Sequence, residues 1–227
     1  MLRERLNDAA IALYRVFSRA GVSFGIFGGH AIQVFGSPRS TKDIDCLARI
    51  TKLQVIQLFH EQEGFRVVSQ VRDDYALLFW FDPAKKHNPV VVEIFCEQFP
   101  GFVHSMESAP CSLISIKGHS LGHGVSSFLR PFYIFKGKLH AAAHRAKFLD
   151  SADLRALANQ HEDDIKPFVD QLNLETIGLA IRRHVELELL FRRLGVDLSE
   201  AKQAAKYTSL SDEEAVPAGA VQSGLLA

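Results

Sequence analysis

Apolar residues recur along this chain in two patterns, helical steps near the start and short continuous or alternating runs further on. Over residues 2–20 apolar residues recur at three- and four-residue steps, which predicts an amphipathic helix ending at Gly21. These residues are Leu6, Ala9, Ala10, Leu13, Val16 and Phe17. Shorter runs predict strands at 22–27, 43–48, 65–69, 75–81 and 90–95. Helices are predicted at 28–35 and 51–62, the second capped by Thr51. The mixture indicates an α+β fold.

The second half of the chain changes to helical periodicity. Helices are predicted at 131–146, 151–160 and 174–194, with Ser151 as the N-cap of the second. Glycines concentrate between 118 and 129, whereas the end of the chain is rich in small residues and has little periodicity. We therefore expect three units, listed here in order: an α/β core over 1–118, a helical region over 119–206 and a disordered tail over 207–227.

Composition is that of an ordinary globular protein. The chain has 227 residues, 47% of them hydrophobic and 23% charged, and its 26 basic and 26 acidic residues give a formal net charge of zero. A neutral chain argues against a protein that binds nucleic acid mainly through a basic surface, although it leaves room for a local basic pocket.

The cysteines and the termini bear on the compartment. Cys46, Cys96 and Cys111 are odd in number and match no zinc spacing, so we interpret them as buried reduced thiols. The first residues carry acids and do not resemble a signal peptide, and no run of 18 apolar residues predicts a membrane span. We expect an intracellular, cytoplasmic protein without a membrane partner.

A glycine pair, Gly28-Gly29, ends the first predicted strand and opens the next helix. Glycine has no Cβ and tolerates positive φ, so the backbone can approach a ligand closely there. The free N–H groups of a helix N-terminus favour phosphate. This turn is a candidate phosphate-binding site.

Two aspartates, Asp43 and Asp45, lie two residues apart in an otherwise apolar strand. Residues at i and i+2 of a strand point to the same face. Two carboxylates about 4 Å apart repel by roughly 4 kcal/mol at an effective dielectric constant near 20, so a proton or a cation must lie between them. Alternatively, the aspartates cap the following helix or pair with arginine.

A third acid, Glu93, interrupts the apolar run Val90–Phe95. A lone carboxylate is costly to bury unless it is paired or bound to a metal. On a strand beside Asp43 and Asp45 it would complete a three-carboxylate cluster, and all-oxygen ligands of this kind suit Mg²⁺ or Mn²⁺. The alternative is an edge strand on which Glu93 faces solvent.

A local surplus of positive charge follows. Residues 130–155 contain six basic residues and two acids, Asp150 and Asp153. Lys138 and Arg145 are seven residues apart on one predicted helix, so they share a face and could meet phosphates. A solvated helix face is the alternative, and we expect the two acids to brace the next helix.

Together these features resemble the polymerase-β-like nucleotidyltransferase superfamily, especially the small aminoglycoside- and toxin-type enzymes. The resemblance rests on the glycine pair, the loop that leads to Asp43-Ile44-Asp45, and the later strand with Glu93. A second block adds to it: Lys138, Ala141, Arg145, Lys147, Asp150, Asp153 and Leu154. The resemblance as a whole covers about residues 20–160. It implies a mixed twisted sheet with flanking helices, followed by a helical C-terminal part.

The resemblance implies a two-metal transfer of a nucleotide. ATP or another NTP would be the substrate, and an in-line attack at the α-phosphate would move NMP, by default AMP, to a hydroxyl of an acceptor. The implied catalytic and metal-binding residues are Asp43, Asp45 and Glu93. The implied nucleotide-binding residues are Gly28, Gly29, Ser37, Arg39, Ser40, Thr41, Lys138 and Arg145. Arg39 could instead brace its loop by pairing with an acid.

Several points stay open at this stage. His30 stands after the glycine pair, where the family often has a small or hydroxyl residue, and could contact phosphate or be packed. The aromatic-rich composition favours a small molecule or a protein over a long nucleic acid as acceptor. Two rivals to transfer are a catalytically weak module that binds nucleotide or ligand, and metal-dependent phosphoester hydrolysis. The sequence does not indicate an oligomeric state.

Overall fold

The computed structural model describes residues 2–83, 85–210 and 217–227. Its sheet has seven strands in the described residues: β1 (Phe24–Phe27), β2 (Asp43–Ala48), β3 (Phe65–Val68), β4 (Tyr75–Asp82), β5 (Lys85–Cys96), β6 (Cys111–Lys117) and β7 (His123–Leu129). Their spatial order is β3-β4-β5-β2-β1-β7-β6, with β2–β5 and β1–β7 parallel and the other pairs antiparallel.

The α-helices in the described residues are α1 (Leu2–Arg19), α2 (Gly28–Val34), α3 (Lys52–Phe59), α4 (Pro131–His144), α5 (Phe148–Gln160), α6 (Glu162–Ile165), α7 (Leu174–Arg183), α8 (Leu187–Leu194), α9 (Leu198–Ala204) and α10 (Ala220–Leu226). Short 3₁₀ helices span Met106–Ser108 and Lys166–Gln171. Among these described helices, none combines the length and the apolar character that crossing a membrane would need. The predicted α+β class, a mixed sheet with helices and a helical C-terminal part, is confirmed.

Aromatic side chains connect the sheet to the helices behind it. The Phe17 ring of α1 lies 4.8 Å from the Phe24 ring and 5.3 Å from the Phe59 ring of α3, centroid to centroid. Burial of such rings is the main source of stability in a core of this kind. Phe27, three residues after Phe24, points to the opposite face of the sheet, where α4 and α10 lie.

The sheet continues past residue 118, so the expectation of an all-helical region from 119 is wrong for β7. Residues 118–129 are a hairpin turn and a strand, and β7 pairs with the central strand β1 through Ile26 and Phe128. The glycines that suggested a linker have local roles. Gly122 has φ +68°, and a Cβ at Gly124 would lie 2.9 Å from the side chain of Ile11. The division into domains stays a prediction.

A buried carboxylate in α1 holds this hairpin. Asp8 is fully buried and accepts backbone hydrogen bonds from His119 at 3.0 Å, Ser120 at 3.0 Å and Leu121 at 2.8 Å. Three N–H donors satisfy the hydrogen-bonding capacity of this buried carboxylate. This long-range contact is invisible to periodicity.

The prediction of a disordered tail is wrong at its end. Residues 220–226 form α10, in which Gln222, Gly224, Leu225 and Leu226 are buried. The helix is stabilised by burial of its apolar side against α4, which the weak periodicity of the segment does not reveal. The predicted tail also includes residues 211–216, which lie outside the described residues.

Two helix predictions also need correction. The expected single helix 174–194 is two helices, α7 and α8, separated at 184–186, where Ser151 donates to Glu186 at 2.7 Å. Ser151 is therefore not an N-cap but a buried residue inside α5, whose N-cap position is Lys147. Thr51, in contrast, caps α3 through a capping box with Gln54, as predicted.

Candidate active site

The turn between β1 and α2 brings backbone against a carboxylate. Gly28 has φ +66°, and a Cβ built on it would lie 2.0 Å from Oδ2 of Asp45. Glycine is therefore required twice, for its positive φ and for the close approach. The packing places Gly28, the first residue of α2, directly against the Asp45 carboxylate.

The strand register places the carboxylates side by side. Asp45 is opposite Phe27 on β1 and opposite Glu93 on β5. Facing residues of paired strands share a face, so Asp45 and Glu93 adjoin, and their side chains are hydrogen-bonded to each other. The alternative of a solvent-facing edge Glu93 is wrong, because β5 lies inside the sheet and Glu93 lines a cavity.

This pair is crowded with negative charge. Burial, followed by the charges of Asp43 and Glu93, raises the pKa of Asp45 to about 7. Burial and the charge of Asp43 also raise the pKa of Glu93. Near neutral pH the two carboxylates share a proton, which is one of the two ways of relieving such repulsion.

Asp43 lies on the same face, two residues before Asp45, and Thr41 Oγ1 donates to its Oδ1 at 2.6 Å. In the described part of the chain, no three His, Cys, Asp or Glu side chains converge closely enough to form a ready metal site. The donors are nevertheless all oxygen atoms and share a surplus of negative charge. This chemistry fits a hard divalent cation that would replace the shared proton.

The loop from Ser37 to Thr41 packs on the glycine turn. A Cβ at Gly29 would lie 2.6 Å from Thr41 Oγ1 and 3.1 Å from an Arg39 guanidinium nitrogen. Ser37 is buried and its Oγ accepts from Arg39 N at 3.4 Å, whereas Ser40 is exposed. Gly29 therefore faces the loop. The nucleotide-binding roles of these residues stay predictions.

A network of ions joins this loop to α4 and α5. The Arg39 guanidinium pairs with Asp153, as the bracing alternative predicted. Lys138 Nζ lies 2.9 Å from Asp153 Oδ2 and 3.2 Å from Asp150 Oδ1. Arg145 donates to Asp150 at 2.7 and 3.0 Å. Burial opposes ionisation of Asp150, yet the hydrogen bond from Arg145 and the charge of Lys138 lower its pKa.

The prediction that Lys138 and Arg145 share a face of one helix is wrong, although the two residues do lie close together. Helix α4 ends at His144, and Arg145 is its C-cap in extended backbone at φ −142° and ψ 143°. The two residues therefore do not share one helical face. They meet through Asp150, which both contact.

Several of the predicted site residues line one cavity of about 350 Å³. Of the predicted site residues, its wall includes Gly28, Asp45, Glu93, Lys138 and Arg145. A volume of this size is typical of small-molecule sites, as are a mainly apolar lining and a few converging polar groups. The cavity joins the glycine turn, the carboxylates and the basic residues in one place.

Sequence reasoning missed the rest of the wall. The unpredicted lining residues are Phe27, Arg72, Tyr75, Phe95, Ile134, Gly137, His140, Ala141, His144, Ala220, Val221 and Leu225. The last three belong to α10. The one feature of the sequence that could have indicated α10 is the four-residue spacing of Val221 and Leu225, which lies in the segment predicted to be disordered.

The histidines differ in their surroundings. His30 is fully buried beside the Phe128 ring, and burial, followed by the charge of Arg3, lowers its pKa to about 3, so it is packed and neutral. The His140 and His144 rings lie 4.2 Å apart, centroid to centroid, with their planes tilted by 36°. Burial, followed by the charges of His144 and Arg145, lowers the pKa of His140 to about 4.

Similar proteins are found by comparison with solved structures and not by comparison of sequences. No family model matches the chain, and no curated protein matches it either. An antigenic nucleotidyltransferase-like protein from Paracoccidioides brasiliensis is 19% identical, with a TM-score of 0.57 over 88% of this chain and 93% of that one. MenT4, a nucleotidyltransferase toxin from Mycobacterium tuberculosis, is 16% identical, with a TM-score of 0.56 over 88% and 86% of the two chains.

This chain has a nucleotidyltransferase fold. The resemblance seen in the glycine pair and the three acids is thereby confirmed at the level of the fold. Because both similarities extend over 88% of this chain, they include far more than the 20–160 segment that carried the resemblance. The fold alone does not fix the reaction, so chemistry has to be argued from the cavity.

Proposed function

We propose that this protein is a metal-dependent nucleotidyltransferase that moves NMP from an NTP, by default AMP from ATP, to a hydroxyl group. One observation carries the proposal: the glycine turn, two adjoining carboxylates and two basic residues line the same cavity. A nucleoside triphosphate needs backbone donors, counter-charge and carboxylates for its cation, and this cavity offers all three.

The carboxylates are the groups that would hold the cation. Mg²⁺ or Mn²⁺ bound by Asp43, Asp45 and Glu93 would neutralise charge on the triphosphate and stabilise the attacking and leaving oxygens. Asp45 and Glu93 share a proton that a cation would displace. Thr41 keeps the Asp43 carboxylate oriented through its 2.6 Å hydrogen bond.

The basic residues would receive the phosphates. Arg39, Lys138 and Arg145 face two acids, Asp150 and Asp153, so three positive charges minus two negative charges leave one in surplus. The acids hold Lys138 and Arg145 in place before a ligand arrives. Such preorganised charge stabilises a transition state without a cost in reorganisation.

The reaction balances as a single displacement. The acceptor oxygen forms a bond to the α-phosphorus, and the bond from that phosphorus to the oxygen bridging the α- and β-phosphates breaks. Pyrophosphate leaves with the bonding electrons. Glu93 must be ionised before the attack, so that its carboxylate accepts the acceptor proton and then releases it to solvent.

The test separates binding from transfer. We expect Mg²⁺ with ATP to raise the melting temperature of the protein, and we expect Asp45→Asn and Glu93→Gln to abolish this effect. ATP labelled at the α-phosphate, incubated with the protein and a cell extract, should label an acceptor. The exposed Glu61→Gln variant is the matched control for removal of a carboxylate and should behave as wild type.

Three results would contradict the proposal or its assignment of residues. Nucleotide binding without transfer of the α-label in any extract would favour the binding-module alternative. Release of inorganic phosphate from γ-labelled ATP, without transfer, would favour hydrolysis. Persistent transfer by Asp45→Asn would refute the assignment of the carboxylates.

A further inference from the structure

The C-terminal helix α10 is fixed to the edge of the active-site cavity by a buried carboxylate. Asp74 is fully buried and accepts from the backbone N–H of Gly219 at 2.9 Å. The buried Gln222 side chain donates to the carbonyl of Asp74 at 2.8 Å and to that of Cys96 at 3.1 Å. Polar bonds of this kind, made inside a dry interface, fix the position of the helix.

Two glycines let α10 lie directly on α4. A Cβ on Gly137 of α4 would lie 2.5 Å from Leu225 Cδ2, and one on Gly224 of α10 would lie 2.9 Å from the His140 ring. Close approach at both positions brings Val221 and Leu225 into the cavity wall. The end of the chain is thus a built part of the pocket.

Helix α10 covers the part of the pocket that lies near β4 and β5, where Glu93 is located. Across the sheet the order β4-β5-β2-β1 places Tyr75, then Glu93 and Phe95, then Asp45, then the glycine turn that follows β1. In the proposed function the phosphates are bound by the glycine turn after β1, by Lys138 of α4 and by Arg145 at the C-cap of α4. The Tyr75 ring lies on the β4 side and is stacked on the Phe95 ring at 5.8 Å, and the Phe95 ring lies 5.5 Å from the Phe27 ring at the end of β1. Glu93, next to them, faces the acceptor hydroxyl in the proposed reaction.

The charged residues of the pocket wall limit the class of acceptor that can bind beside α10. Asp45 and Glu93 are the acids in the described wall, and the proposed cation engages both. The charged residues that remain are basic: Arg72, Lys138 and Arg145. A polycationic acceptor would find no free carboxylate there, whereas aromatic and aliphatic side chains offer a face for an apolar body.

We propose that α10 forms the outer wall of the acceptor subsite and that this subsite takes a compact hydroxyl compound with an aromatic or aliphatic body and no cationic group. The inference rests on the proposed function, because it needs a nucleotide on the β1 side. Val221 and Leu225 are specificity-determining residues in this arrangement.

The probe is 2-phenylethanol, with 2-deoxystreptamine as its cationic counterpart, and binding is measured by saturation-transfer NMR on the full chain. We expect 2-phenylethanol to bind and 2-deoxystreptamine not to bind. Val221→Ser, at a half-buried position that should tolerate the change, is expected to weaken 2-phenylethanol binding about fivefold through lost apolar contact. Leu225→Ala should weaken it at least as much.

Two comparisons make the result specific. Leu189→Ala removes an equally large but exposed side chain on α8, 73% accessible, and should leave binding unchanged. A non-hydrolysable ATP analogue with Mg²⁺, measured by calorimetry, should bind wild type and Val221→Ser equally and should not displace 2-phenylethanol.

Several results would overturn the inference. These are failure of 2-phenylethanol to bind, equal binding by wild type and Val221→Ser, preference for 2-deoxystreptamine, and displacement by the ATP analogue, which would assign the apolar end to the nucleobase. Failure of the proposed function has other signatures, because then the ATP analogue binds to neither protein or the α-label is not transferred to any acceptor.

Discussion

Asp45 is the residue on which the site depends most. It adjoins Glu93 on one side and the glycine turn on the other, and its carboxylate is close enough to Gly28 that any Cβ there would collide with it. Its pKa of about 7 results from burial and from the neighbouring acids. A buried carboxylate with a raised pKa weakens the folded state when it is ionised, a cost that is common among active-site groups.

The stability of the metal-free protein should therefore depend on Asp45 and on pH. The folded pKa of about 7 lies above the ordinary 3.8, so between these values the folded state holds a proton that the unfolded state has released. Stability is lost as pH rises through this window. In EDTA at pH 8, Asp45→Asn should raise the free energy of unfolding by on the order of 3 kcal/mol, as measured by urea titration.

The gain should nearly vanish at pH 4, where Asp45 is largely protonated in the folded chain. Glu61→Gln, at an exposed position, serves as the control and should show no such pH-dependent gain. Equal effects of Asp45→Asn at both pH values would contradict the assignment of the raised pKa.

Gly28 offers a second prediction at this scale, with an internal control. Gly28 has φ +66° and Gly21 has φ +67°, but a Cβ at Gly21 would meet nothing within 4 Å. Alanine at Gly21 should cost roughly 1–2 kcal/mol of stability through backbone strain alone, and alanine at Gly28 should cost more, because its Cβ would also collide with the Asp45 carboxylate. Only Gly28→Ala should also abolish the thermal shift with Mg²⁺ and ATP. Retained nucleotide binding in Gly28→Ala would show that the turn does not contribute.

Among the elements, α5 has the largest organising role around the site. Asp153 pairs with both Arg39 and Lys138, and Asp150 pairs with Lys138 and Arg145. Both acids are almost fully buried, at 2% exposure. One helix thereby fixes the loop before β2 and the basic residues of α4.

Removing one of these acids should leave buried positive charge without its partner. Asp153→Asn is expected to lower the free energy of unfolding by about 3 kcal/mol, as measured by urea titration. Asp164→Asn is the matched control, because Asp164 is 61% exposed and, within the described residues, its ion-pair partner is the His161 ring. It should change stability by less than about 0.5 kcal/mol. Comparable losses in the two variants would contradict the bracing role.

At the scale of the whole molecule, the sheet and the C-terminal helices are joined by specific contacts. Gln160 donates to the Gly36 carbonyl at 3.3 Å, and His161 Nε2 contacts the Phe35 carbonyl at 3.1 Å. Gln222 of α10 bonds to Cys96 at the end of β5. The cavity lies where these parts meet.

We therefore expect the sheet and the helices to unfold together. Trp80, the one tryptophan of the chain, is buried in β4 and reports on the sheet, whereas far-UV circular dichroism is dominated by the helices. Urea transitions followed by the two signals should have the same midpoint. Two separate midpoints would instead support the division into an α/β core and an independent helical region.

The local parts of this architecture could be predicted from residues alone. The strand with Asp43 and Asp45, the turn at Gly28 and the cap at Thr51 are all in the structure, because periodicity, glycine and capping chemistry act over a few residues. The face shared by the carboxylates followed from the two-residue period of a strand.

Tertiary contacts decided the rest. Periodicity cannot show that Glu93 would be opposite Asp45, that Asp153 would take Arg39 and Lys138, or that Val221 would line the cavity. Helix α10 has too weak a pattern to be recognised alone and is stabilised by burial against α4. The sequence by itself determined the chemistry of the carboxylate and glycine half of the site. The packing of distant segments decided the other half, since contacts between them depend on the whole fold.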